Sequence, residues 1–237
     1  MQSELFAAAN LEVEGAPRFA LQNPQLLRVS FGPDVLATKG AMVAFQGRIA
    51  FEHEGSGSIG KLLKKVLTNE DLPLMRVSGQ GEVFFAHDAG FVYLVELGGD
   101  ALSVNGQNLL AFDAALQWDI KRVQGAGMMA GGLYNTVLSG AGTVALCTVG
   151  TPVLLDCSQQ PTYVDVQAAV AWSASLVPQV VSSMSMRSML RGGSGEAFQY
   201  AFSGPGFVVV QPSEWRAASQ QAGGPQQSSG GLGDLFR

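Results

Sequence analysis

Ser139-Gly140-Ala141-Gly142-Thr143-Val144 has two close copies in this chain, Ser78-Gly79-Gln80-Gly81-Glu82-Val83 and Ser203-Gly204-Pro205-Gly206-Phe207-Val208. The serines stand 61 and then 64 residues apart. A second phrase alternates with the first: Val43-Ala44-Phe45, Leu110-Ala111-Phe112 and Val170-Ala171-Trp172, with alanines 67 and then 60 residues apart. Two phrases alternating at a common period describe one structural unit used three times. A unit of about 60 residues is marginal alone, so the three are expected to share one interior.

Between the phrases run short stretches rich in Val, Leu, Phe and Ala, bounded by Gly, Pro, Asn or Asp. That is the grammar of strands and turns. Residues 82–86, a turn at His87-Asp88-Ala89-Gly90 and residues 91–97 read as a hairpin, and residues 143–147 with 152–155 read as a second. A third strand, Phe207 to Gln211, ends at Pro212. The glycines of the first phrase are read as backbone devices, for a bulge or a close strand approach. Helix is minor. Ile59, Leu62, Leu63, Val66 and Leu67 share one helical face, with Lys61, Lys64 and Lys65 on the other. A methionine-rich stretch from Met184 to Arg191 is its counterpart in the third unit, whereas residues 125–132 hold too many glycines for a stable helix.

Composition narrows the function classes. Only 14% of the 237 residues are charged while 47% are hydrophobic; an average soluble domain carries roughly 25% charge. Scarce charge predicts a surface partly covered by another subunit, hence a homo-oligomer. A net charge of −5 with no basic stripe argues against nucleic acid as a partner. No secretory leader is read at Met1-Gln2-Ser3-Glu4, and no apolar run reaches the roughly 18 residues of a spanning helix. Cys147 and Cys157, around the turn at Gly150-Thr151-Pro152, are expected to be reduced thiols of a cytoplasmic protein, with a hairpin there placing Cys147 opposite Leu154.

No string in the chain specifies a reaction. Gly55-Ser56-Gly57-Ser58-Ile59-Gly60-Lys61 imitates a phosphate loop, but Leu62 stands where a metal-binding hydroxyl belongs, and the flanks read as antiparallel strands. Gly192-Gly193-Ser194-Gly195-Glu196, after Arg187 and Arg191, reads as an anion site or, at least as well, as a flexible connection between helix and strand. His53 and His87 lie in no nucleophile motif and are too few for a metal site on adjacent strands. No cofactor is implied. The candidate interaction surface is the lysine face Lys61, Lys64 and Lys65, the methionines Met184 and Met189, and the apolar tip Leu235-Phe236. That tip ends a Gly/Ser/Gln-rich stretch, residues 217–237, too polar to offset its ordering entropy and expected to be disordered.

Several longer phrases resemble a known family: residues 39–43, 109–112, 132–144, 168–172, 195–198 and 204–213. Together they look like the bacterial relatives of the altered-inheritance-of-mitochondria, or mitochondrial biogenesis, family, over roughly residues 26 to 215. The resemblance implies a β-rich, double-stranded-β-helix-like body similar to the tryptophan RNA-binding attenuation protein, able to form higher oligomers. It supplies no catalytic motif, and fold likeness alone transmits neither RNA nor tryptophan binding.

The sequence therefore predicts a mainly β domain over residues 1–216, with three antiparallel lobes (roughly 26–90, 91–150 and 151–215) in layered sheets and one to three short connecting helices. The function it favours is a non-catalytic scaffold or interaction protein, cytoplasmic, with a protein partner or a peripheral place at the inner face of the membrane. The rival is a small-ligand binder or enzyme with its site inside or between the lobes, built on His53 or His87 beside Asp88 or Glu82.

Overall fold

Fifteen strands run through a computed structural model that describes residues 2–13, 15–54, 74–123, 134–181 and 198–214. They are β1 (Phe19–Asn23), β2 (Leu26–Ser30), β3 (Val35–Thr38), β4 (Met42–His53), β5 (Leu74–Phe85), β6 (Phe91–Asn105), β7 (Leu109–Asp113), β8 (Gln117–Arg122), β9 (Tyr134–Thr148), β10 (Val153–Asp156), β11 (Thr162–Asp165), β12 (Ala169–Ser173), β13 (Gln179–Val181), β14 (Gln199–Phe202) and β15 (Phe207–Val210). Among the described residues the only helical pieces are single 3-10 turns at Glu4–Phe6, Ala8–Asn10 and Gly106–Asn108. The connecting helices expected at residues 59–67 and 184–191, and the glycine-rich residues 125–132, lie outside the described residues.

Twelve strands form one sheet in the order β1-β2-β5-β3-β7-β9-β6-β12-β15-β10, with β4 also on β5 and β8 also on β9. The other three form a second sheet, β11-β14-β13. Every pairing is antiparallel. Branched and aromatic residues of the strands fill three apolar clusters, the long strands β5, β6 and β9 contributing to the first two. One gathers around Val29, Val77, Phe85 and Leu110, the next around Leu36, Leu74, Phe112 and Val144, and the last around Trp172, Tyr200, Phe202 and Val208. Trp172 stacks at an angle on Tyr200 and Phe202, with ring centroids 5.7 and 5.6 Å away, a geometry favoured by aromatic quadrupoles.

The strands expected at 82–97 and 143–155 form, but the hairpins do not. Glu82–Phe85 is already flanked on both edges, by Ser30–Leu27 of β2 and by β4, so β6 has no place beside it. After the His87–Gly90 turn the chain passes to β9 instead, and Phe91–Gly98 pairs with Thr148–Ala141. Likewise β10 pairs with β15 rather than β9. Cys147 consequently faces Val92, not Leu154. Both cysteines are buried free thiols.

The two phrases hold fixed places in this pairing. In the second phrase a bulge falls at the first residue: the ladder skips Val43, Leu110 and Val170. Phe45, Phe112 and Trp172 then face Val83, Val144 and Val208, the valines that end the glycine phrase. Beyond that point the segments differ. β4 continues unbroken, and Gly47 faces Gly81 while Ile49 faces Gly79. A Cβ on Gly79 or Gly81 would strike the carbonyl oxygen of Arg48 or Gln46. In the next two segments a tight turn interrupts the strand, closed by Leu116 N–H to Asp113 and Leu176 N–H to Ser173. Those leucines pack over the second glycine of the phrase, Leu116 Cγ at 3.2 Å and Leu176 Cδ1 at 3.0 Å from where a Cβ would stand on Gly142 and Gly206. The glycines therefore serve close approach, as the sequence suggests, while the bulge belongs to the other phrase.

Candidate interaction surface

Three arginines are committed to carboxylates within the fold. Arg28, 7% exposed, holds Glu82 through two hydrogen bonds, and the Ser30 hydroxyl donates to the same carboxylate at 3.3 Å. This clamp keeps the Glu82 carboxyl below its usual range and the Arg28 guanidinium above its own. Arg76 grips Glu54 bidentately, at 2.9 and 3.0 Å, and reaches Asp34 at 3.1 Å. Arg18 binds Asp113, whose other oxygen accepts the Thr143 N–H at 2.8 Å. These contacts pin strand ends across long sequence separations, which is positioning work.

The residues weighed for chemistry do not converge. His53 ends β4 opposite Met75. His87 stands 3.7 Å from Asp88 in an exposed turn, and its backbone carbonyl accepts from the Cys147 thiol at 3.4 Å. Glu82 is engaged by Arg28, so it forms no site with a histidine. Among the described residues no three His, Cys, Asp or Glu side chains gather to hold a metal. One open hollow of about 430 Å³ is lined by Ala168, Gln211, Pro212, Ser213 and Glu214. Gln211 there uses both side-chain ends within the fold, accepting from Asn108 and from the Val149 N–H and donating to the carbonyls of Gln167 and Ser213.

What stands out is an edge. Among the described residues β4, 12 residues long, is hydrogen-bonded only to β5, so no described strand lies along its other side. Val43 is 57% and Phe45 47% exposed. Phe45 lies edge-on to Phe51 with centroids 5.4 Å apart, extending the apolar patch along the strand. The residues in the same place in the next two segments, Phe112 and Trp172, are 0% and 1% exposed, because β3 and β6 pair alongside them. A second such strand is β11, paired among the described residues only with β14, where Tyr163 is 59% exposed.

The sequence-chosen surface, Lys61, Lys64, Lys65, Met184, Met189, Leu235 and Phe236, lies outside the described residues. So do the glycine-rich strings at 55–61 and 192–196. Sequence reading did not pick out Val43, Phe45 or Tyr163 as a surface. Val43-Ala44-Phe45 was conspicuous as a repeated phrase, but its sequence is that of two buried copies.

Over residues 19–213 the chain matches the family model described as mitochondrial biogenesis AIM24. The chain belongs to this family. Membership agrees with the resemblance carried by residues 109–112, 132–144 and 204–213. The AIM24 fold also has a solved counterpart in a Streptococcus pyogenes protein whose X-ray structure superposes with a TM-score of 0.68. That likeness covers 83% of this chain and 92% of the other at 20% identity, and it speaks for the fold alone. No curated protein matches this AIM24 member in sequence. Among the described residues no helix is long and apolar enough to cross a membrane.

Proposed function

We propose that this AIM24 chain is a non-catalytic scaffold or interaction protein whose working surface is the open edge of β4. The observation that carries the reading is the contrast between Phe45, 47% exposed, and its buried counterparts Phe112 and Trp172. Exposed edges are ordinarily blunted by charge, proline or a covering element. Met42-Val43-Ala44-Phe45 carries no charge and no proline. An added strand gains backbone hydrogen bonds along the edge and buries the side chains beside it. The commitment of Arg18, Arg28 and Arg76 to internal carboxylates fits a body built to hold a surface in place.

A photo-cross-linking residue at position 43, introduced in cells, tests this. Protein adducts through β4 support the reading, and a chain that yields none when natively folded overturns it. We propose in addition a peripheral place at the membrane surface, held by Lys61, Lys64 and Lys65. Flotation with anionic vesicles at low salt should carry the chain upward and lose it when the three lysines become glutamines; a chain that stays below removes that part.

A further inference from the structure

We infer that residues 11–13 fill a peptide-binding site of this chain, and that an extended segment of another protein bearing a carboxylate side chain displaces them. This surface is separate from the edge of β4, and the inference does not rest on that reading.

Gln22 supplies the backbone contact. The β1–β2 ladder pairs Leu21 with Leu27 and Asn23 with Leu26, leaving Gln22 out as a bulge. A bulge re-aims the side chain of the residue it leaves unpaired. The Gln22 amide is accordingly turned onto residues 11–13. Its Nε2 donates to the Leu11 carbonyl at 2.7 Å, and its Oε1 accepts the Val13 N–H at 3.1 Å. These are the carbonyl before residue 12 and the N–H after it, the two groups that a parallel strand would engage there.

Gln46 and Arg28 supply the contact with the side chain between. Gln46 Nε2 donates to the Glu12 carboxylate. Gln46 stands opposite Glu82, which stands opposite Ser30 and is held by Arg28. Arg28 is buried, and its Nη1 is sealed from solvent with no hydrogen-bond partner among the described residues. A guanidinium has five N–H donors, and this one keeps Nη1 in reserve for a second carboxylate. Hydrogen bonding to Glu82 is the main reason the guanidinium sits above its usual range, and the nearby Glu12 carboxylate raises it further.

Little else holds this segment to the sheet. Leu5, Phe6 and Leu11 are exposed, and the turn at Glu4–Phe6 buries no residue. The Asn10 amide is spent within the segment, on the carbonyls of Glu4 and Leu5. A stretch with few buried apolar contacts opens at low cost. Because Leu11 and Val13 face solvent, the site reads extended backbone and one acid, not the flanking side chains. The chain's own segment is then a tethered competitor that any partner has to displace.

Fluorescence anisotropy on the full chain, with a labelled peptide copying residues 8–16, tests this. Glu12→Lys sets a like charge before Arg28 and should release the chain's own segment. Val13→Pro, which removes the N–H that Gln22 accepts, is the second releasing variant. Both positions lie outside the strands, so circular dichroism should not change. Each variant should bind the peptide roughly tenfold more tightly than wild type, whose own segment competes. Adding Gln22→Ala to Glu12→Lys should weaken that binding about tenfold, as should a peptide with glutamine in place of its Glu12. A peptide that binds neither releasing variant, binds wild type equally well, or ignores Gln22→Ala overturns the inference. Equal affinity for the glutamine peptide overturns it too, since the carboxylate would then play no part. A chain that takes the peptide yet gives no adduct through position 43 keeps this site and loses the β4 reading; the opposite pair of results keeps β4 alone.

Discussion

The side-chain amide of Asn108 donates to that of Gln211 at 3.0 Å, a contact between positions 103 residues apart with both residues sealed from solvent. Asn108 also donates to the Cys147 carbonyl at 2.8 Å, so this amide ties the turn before β7 to the ends of β9 and β15. Truncating Gln211 strands the Val149 N–H and one Asn108 donor in the interior. Leaving a buried polar group unmatched costs about 1–3 kcal/mol each. Gln211→Ala should therefore lower unfolding free energy by roughly 2–4 kcal/mol in urea titrations, which register the loss directly. A change within error would show that water replaces the amide without penalty.

Gly81 and Gly204 belong to two copies of one phrase yet should respond differently to alanine. Both have positive φ, +137° and +119°, so each substitution carries backbone strain of about 1–3 kcal/mol. A methyl on Gly204 meets only Leu176 Cδ2 at 3.6 Å, an ordinary contact. On Gly81 it would overlap the Gln46 carbonyl oxygen across β4. Forcing those strands apart adds about 1–3 kcal/mol more. Parallel denaturation of Gly81→Ala and Gly204→Ala should rank the first as clearly less stable, and equal losses would refute the close-approach account.

Arg28 makes Glu82 a source of acid sensitivity. The hydrogen bond from Arg28 is the main reason the Glu82 carboxyl titrates below its ordinary 4.5. In the unfolded chain Glu82 takes up a proton near 4.5, whereas the folded chain resists until lower pH. The stabilisation is therefore complete above that value and is lost as pH falls through the folded value. Glu82→Gln should cost about 1–3 kcal/mol at neutral pH, typical of a charge-assisted contact. The difference from wild type should shrink as acid is added. A constant difference down to acid pH would mean that the loss is steric.

The strands themselves were legible, because Val-, Phe- and Leu-rich runs between Gly, Pro and Asp mark half-buried extended chain. Their partners were not. Nothing local in residues 82–97 reveals that β2 and β4 already fill both edges of β5; that information sits more than 30 residues away in Leu27–Ser30 and Met42–Gln46. The phrases were readable as repeats, but the sequence of Val43-Ala44-Phe45 is that of an interior copy. Its exposure follows from pairing: β3 lies beside Phe112 and β6 beside Trp172, while among the described residues no strand takes that place beside β4.

The turn after β5 carries avoidable strain. Asp88 and Ala89 both have positive φ, +46° and +53°, and the Gly90 N–H returns to the His87 carbonyl at 2.8 Å, a type I′ turn. Aspartate tolerates that region, but alanine pays about 1–2 kcal/mol for it. Ala89→Gly should relieve most of this, less the added freedom of the unfolded chain, about 0.4–1 kcal/mol. A rise in Tm is expected for Ala89→Gly and a fall for Ala89→Val, whose branched Cβ is less tolerant still. A lower Tm for the glycine variant would contradict the turn geometry.

Cys147 should behave as an inert thiol until the chain opens. Burial, helped by the Asp88 carboxylate, pushes its pKa up to about 11 from 9.0. The thiolate is the reactive form, so two pKa units remove about a hundredfold of it at any pH well below both values. Iodoacetamide at pH 7.5 should leave Cys147 unmodified in the folded chain, and mass spectrometry of the digest should find it alkylated only after denaturant. Replacing Asp88 by Asn takes away one charge but leaves the burial, so Asp88→Asn should speed labelling only slightly. Rapid alkylation of native Cys147 would place the thiol in solvent and break the packing of β9 against β6, where Cys147 faces Val92.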